Sequence, residues 1–128
     1  MENLKFYRCP VCGNIVIHLE KSGVPVHCCG RPMEEIIPGT VNASREKHVP
    51  VIDVFETAVL VSVGEEPHPM LVEHHIEWIA FQSATGFQVH YLRPDEPPCY
   101  EFQVQEGVKA VAAFAYCNLH GLWKANID

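Results

Sequence analysis

Cys9 and Cys12 fall in CPVCG, and Cys28 and Cys29 are adjacent in HCCGRP. A Cys-x-x-Cys turn aims both sulfurs into one hollow. Gly13 and Gly30, just beyond each pair, can take the positive φ that turns backbone N–H groups toward sulfur. Four thiolates grouped this way suit a closed tetrahedral site for zinc or iron, and spacing alone does not choose between them. Two disulfides are the alternative, but neighbouring cysteines bridge each other poorly, which favours a metal. An ordinary zinc ribbon separates its second pair by two residues; here the pair is adjacent, so a distorted tetrahedron is expected.

A second group lies downstream: His48, His68, His74, His75, His90, Cys99, Cys117 and His120. His48 follows a carboxylate and an ammonium, Glu46 and Lys47, at the entrance to the apolar run VPVIDV. His68 sits between prolines in PHPM, which favours extended backbone. His74 has the strand parity of Ile76 and Trp78 and is expected on the interior side. Cys117 and His120, in CNLHG, are close enough to share one ion. Four imidazoles and a thiolate would bind a transition metal and leave one octahedral position open. Each residue also has a plain reading. His18, His27 and His90 read as surface or hydrogen-bonded side chains, and His75 has the opposite parity to His74. Cys99 follows EPP in an expected loop and is given no role. On the residues alone Glu46 and Lys47 read as a solvated strand entrance. Ligands this distant in sequence cannot be paired by spacing.

The elements that must position these groups are legible from patterning. The 128 residues are 48% hydrophobic and 20% charged, ordinary for a globular chain that can bury one core, or one core plus a small stapled unit. A formal net charge of −7 offers no basic face for nucleic acid. No apolar run approaches the ~20 residues of a membrane span. MENLKFYRCP lacks the plan of a secretory signal, so the six cysteines are expected in a reducing cytoplasm, where thiols in pairs favour metal. Residues 1–37 are short of apolar side chains and punctuated by Gly and Cys, and a segment of that size needs a staple. IIPGTVNAS reads as a linker. From there to residue 128 the pattern has period two, in VFETAVLVSV, LVEHHIEWIAFQS, FQVHYL, YEFQVQ and VKAVAAFAYCNLH. Short alternating runs separated by VGEEPHP, SATG, RPDEPP and QEG predict an antiparallel β-sandwich or barrel, all-β throughout.

Together these motifs resemble desulfoferrodoxin, the two-iron form of superoxide reductase, over nearly the whole chain. CPVCG and CCG are similar to its desulforedoxin-like module, which implies Cys9, Cys12, Cys28 and Cys29 as ligands of one iron in a domain spanning 1–37. EKHVPV, PHPM, HHIEWI and CNLHGLW resemble the catalytic domain, here 38–128, with an immunoglobulin-like antiparallel sandwich. That resemblance implies a second iron held by His48, His68, His74 and His120 with Cys117 as axial thiolate, and it places Glu46 and Lys47 on the loop over the open position. It further implies reduction of superoxide to hydrogen peroxide, a rubredoxin-like electron donor and a homodimer. Three other readings stay open on the residues alone: a non-catalytic metal-binding module, an electron carrier using only the cysteine site, and a superoxide dismutase.

Overall fold

The structure is a computed structural model and describes residues 2–127. The chain forms two compact units, Glu2–Ile37 and Pro38–Asp128.

In the first unit β1 (Phe6–Arg8) pairs antiparallel with β2 (Ile15–Ile17) and with β5 (Glu34–Glu35), and β3 (His27–Cys28) pairs with β4 (Arg31–Pro32). Strands of two or three residues cannot bury much. Phe6, Cys9 and Met33 are the buried apolar side chains here among the described residues. So small a core does not offset the entropy of ordering the segment, and a bound ion would supply what the core lacks.

The second unit opens with a single helical turn, α1 (Arg45–His48), and continues with β6 (Pro50–Val54), β7 (Ala58–Val63), β8 (Ile76–Ser83), β9 (Gly86–Tyr91), β10 (Cys99–Gln103), β11 (Ala110–Cys117) and β12 (Gly121–Asn126). They form a three-stranded sheet in the order β10-β7-β6 and a four-stranded sheet in the order β12-β11-β8-β9, all pairs antiparallel. Val59, Val61 and Val63 alternate inward from β7 and meet Ile79 and Phe81 of β8, Ala113 and Ala115 of β11, and Phe102 of β10. β-branched side chains on one sheet face small and aromatic ones on the other, as a sandwich core requires. The unit is an immunoglobulin-like antiparallel sandwich.

Three local expectations change. Ile76 and Trp78 do not share one face: Ile76 joins the core with Ile79 and Phe81, while Trp78 stacks on Tyr116 outside it. The cause is a register shift, since Cys117 pairs with Ile76 and Tyr116 with Trp78, leaving Glu77 as a bulge that inverts the alternation. Cys99 lies at the start of β10 opposite Ser62, not in a loop. Finally, the Pro-Gly segment read as a linker is tied down, with the Gly39 N–H donating to the Leu122 carbonyl at 2.9 Å.

Candidate metal centres

The sulfurs of Cys9, Cys12, Cys28 and Cys29 lie within 4.8 Å of one another. Cys12 to Cys28 is 3.6 Å and Cys28 to Cys29 is 4.0 Å. A tetrahedron with metal–sulfur bonds of ~2.3 Å has edges of about 3.8 Å, so these separations fit a four-coordinate ion. The adjacent pair reaches one hollow because Cys29 takes the left-handed φ of 54° and Gly30 follows at 74°. Gly13, at φ 83°, closes the first turn by donating to the Cys9 carbonyl. The N–H groups of Cys12 and Val11 point at the Cys9 sulfur at 3.5 and 3.4 Å. The first of them is the main reason that thiol is held down to about 6. The neighbours pay no such dividend to Cys29, whose thiol is pushed up to about 12, first by Cys12 and then by Cys9 and Cys28. Four thiolates cannot coexist so closely without a cation, and the geometry is made for one.

The second cluster is built by four parts of the sandwich. α1 supplies His48, the stretch after β7 supplies His68, the irregular approach to β8 supplies His74, and β11 with its following turn supplies Cys117 and His120. Ligating atoms of His48, His74, Cys117 and His120 fall within 4.8 Å of one another. His68 is not in that set, yet its Nε2 is 3.1 Å from His48 Nε2. The four rings form a square. Neighbouring centroids are 4.6 Å (His48–His68), 4.7 Å (His68–His74), 5.1 Å (His74–His120) and 5.0 Å (His120–His48), and the His48–His74 diagonal is 6.5 Å.

The protons show what this square is for. His48 Nδ1 donates to the Ser44 carbonyl, and His68 Nδ1 donates to the Pro69 carbonyl at 2.7 Å. In a neutral imidazole that leaves both Nε2 atoms as acceptors. Two lone pairs 3.1 Å apart have no proton to share, and a cation between them satisfies both. Metal–nitrogen bonds of ~2.1 Å set neighbouring ligand atoms about 3.0 Å apart, close to this separation and to the 3.2 Å from His120 Nδ1 to His48 Nε2. His74 Nε2 is buried without a hydrogen-bond partner, as a vacant ligand atom would be. Burial lowers the pKa of His48, His74 and His68, the last to about 4, so the imidazoles stay neutral and available. Cys117 is fully buried and burial pushes its thiol up, so its thiolate forms only against a metal. Its Sγ is 3.8 Å from His120 Nδ1. The donor set fits iron.

Around the square the sequence reading missed two positions. Trp123 is buried against His48, centroids 4.9 Å apart, and its indole N–H donates to the His120 carbonyl at 3.0 Å. It braces two members of the square at once, and its place in CNLHGLW is the only sequence signal for this. Gly64 lies directly after β7, where a Cβ would stand 2.6 Å from the Glu46 carbonyl oxygen and 2.9 Å from the Lys47 carbonyl carbon. No sequence pattern marks that contact. Glu46 and Lys47 are exposed on α1. Its own backbone N–H first, then the Ser44 hydroxyl and Lys47, hold Glu46 below the usual carboxylate range, so the carboxylate caps the turn. Glu46 also borders a cavity of about 340 Å³ with Arg45, Val51 and Glu65. The Lys47 charge reaches the square, contributing to the lowered pKa of both His48 and His74. His18, His27 and His90 lie outside both clusters; His90 stacks on Tyr100 at 3.6 Å.

Known proteins carry the same plan. The family model described as Desulfoferrodoxin matches residues 40–126, and the one described as Desulfoferrodoxin, N-terminal domain matches 1–36. The desulfoferrodoxin of Nitratidesulfovibrio vulgaris is 41% identical over 121 residues, covering 94% of this chain and 94% of its own. That of Syntrophotalea carbinolica is 40% identical over 124 residues, 97% of each chain. Among solved structures, the superoxide reductase of Treponema pallidum aligns with a TM-score of 0.81 at 31% identity, over 98% of this chain and all of that one. With both family models matched in order and relatives similar over almost their whole length, the chain belongs to the desulfoferrodoxin family.

Proposed function

We propose that this chain is a superoxide reductase, converting superoxide to hydrogen peroxide with one electron and two protons. The observation that carries the proposal is the square of four imidazoles completed by a buried cysteine. In this reading His48, His68, His74, His120 and Cys117 hold the catalytic iron, and Cys9, Cys12, Cys28 and Cys29 hold a second. When bound in the ferrous state, the catalytic iron supplies the electron and is restored by an external donor. The imidazoles add no charge, so the buried site carries only the thiolate against the metal. Cys117 sits in the apolar core, where water is excluded from its sulfur. The N–H groups of Leu119 and His120 point at that sulfur and temper its basicity. Lys47, exposed beside the square, draws the anionic substrate against the net negative charge of the chain, because screening beyond about 8 Å favours the nearest charge. Glu46 keeps its carboxylate ionised on the same turn and can order the water that delivers protons.

A rubredoxin-like protein as donor, a homodimer and a cytoplasmic setting complete the proposal. Cysteines gathered to hold a metal as thiolates favour a reducing compartment. Exposed Phe87, Val89 and Tyr91 on β9 offer apolar surface for a second copy. The deciding experiment is the peroxide yield of the reduced, iron-analysed protein in a single turnover. One peroxide per superoxide without dioxygen supports the reductase. One peroxide per two superoxides with dioxygen released would make it a dismutase.

A further inference from the structure

Asn118 lies between Cys117 and His120, and its side chain turns toward a different part of the chain. Its Oδ1 accepts the His75 N–H at 2.9 Å, and its Nδ2 donates to the Glu73 carbonyl at 3.0 Å. Its own backbone N–H donates to the His75 carbonyl at 3.2 Å. These bonds bracket His74 on both sides. The bracket matters because His74 stands outside the strand ladder, which begins only at Ile76. The other backbone bonds of His74 are local: Leu71 N–H to His74 carbonyl at 2.9 Å and His74 N–H to Leu71 carbonyl at 3.2 Å. They shape the loop without fixing it to the rest of the square. His48 and His68 are oriented through their rings, by carbonyls of their own segments. His74 is held through the backbones of its neighbours Glu73 and His75, across 43 to 45 positions of sequence.

We propose that Asn118 is a positioning residue for His74: its carboxamide ties the loop carrying that imidazole to the turn carrying Cys117 and His120, and so sets the geometry of the donor set. The proposal rests on the reading of His74 as an iron ligand. A bond made between ligand-bearing segments is an outer-shell support, and loss of such support typically costs 10- to 100-fold in metal affinity.

The test compares full-length iron-loaded protein with Asn118→Ala, His74→Ala and the double variant. Transfer of iron to a chelator and the paramagnetic resonance signal of the oxidised histidine–cysteine iron are read together, with the four-cysteine iron as internal reference. Asn118→Ala is expected to weaken retention at the histidine–cysteine site about 10- to 100-fold and to change its signal, leaving the four-cysteine iron untouched. In the His74→Ala background the same substitution is expected to add nothing. Asn118→Asp keeps the acceptor for the His75 N–H and loses the donor to Glu73, so a smaller loss of the same kind is expected if the alanine variant folds poorly. Unchanged retention and signal in Asn118→Ala overturn the proposal. So does an equal further loss in the His74→Ala background, or loss of both irons alike in both Asn118 variants. If His74→Ala by itself keeps native retention and signal, the ligand reading has failed and the bracket positions nothing.

Discussion

Replacing Gly64 by alanine tests whether the turn over the square is held by close backbone packing. The added methyl would meet the Glu46 carbonyl oxygen at 2.6 Å, the Lys47 carbonyl carbon at 2.9 Å and the Val49 carbonyl oxygen at 3.1 Å. Ordinary contact begins at 3.4 Å, so the shortest approach must open by 3.4 − 2.6 = 0.8 Å. All three atoms are backbone, so no side-chain rotation relieves the clash. The Glu46 carbonyl is also pinned by the Glu66 N–H at 3.0 Å, which resists the retreat. Overpacking of this kind costs about 1–3 kcal/mol. A shift of that size in α1 carries Lys47 and His48 with it, and misplacement of ~1 Å can lower a rate by about 10²-fold. Denaturant unfolding should show the stability loss, and rapid mixing of the ferrous protein with superoxide should show slower oxidation. Gly86→Ala is the control, since a Cβ there meets nothing within 4 Å. If Gly64→Ala matches wild type in both stability and rate, the packing argument is wrong.

Lys47→Ala should lower the second-order rate with superoxide by about tenfold or more, with a defect that shrinks as ionic strength rises, and should leave both irons in place. Glu46 has a lowered pKa, so its charge and any stabilisation it brings are present at neutral pH and are lost only as pH falls through that lowered value. Glu46→Gln should therefore leave the midpoints of the rate–pH profile between about pH 5 and 9 where they were, and a moved midpoint would show that this carboxylate titrates in the working range. Asn14 Nδ2 donates to the Cys28 sulfur at 3.6 Å, a bond that favours the more negative, reduced site. Asn14→Leu should lower the potential of the four-cysteine iron by roughly 20–60 mV in a redox titration, taking ~0.5–1.4 kcal/mol for the bond and 59 mV per tenfold.

The four-cysteine site was readable because its ligands are local: a turn and an adjacent pair specify it with little help from the fold. Cys117 and His120 were readable for the same reason. The sandwich was legible in the alternation of AVLVSV and FQVHYL. His74 was expected inward from strand parity, but it precedes the ladder, and the bulge at Glu77 breaks that parity before Trp78. Its place in the square depends on a loop tied from elsewhere. The support of Gly64 against α1 joins segments far apart in sequence, so no local pattern encodes it, and CNLHGLW marks Trp123 without pairing it to His48. The proton arrangement that makes two Nε2 atoms face each other depends on carbonyls whose direction only the folded backbone sets.

The origin of the square in four separate segments fixes the order in which the chain can mature during synthesis. The four cysteines are all present once residue 29 has left the ribosome, and the unit they staple ends at Ile37. It can load its ion while most of the chain is still unmade. The histidines and Cys117 span positions 48 to 120, and their strands meet only when β11 has paired with both β8 and β12. Ribosomes add about 5–20 residues per second, so several seconds separate completion of the first centre from the earliest moment the second can exist. A chain stopped before β11 would hold all four cysteines of the first centre and lack Cys117 and His120 of the second.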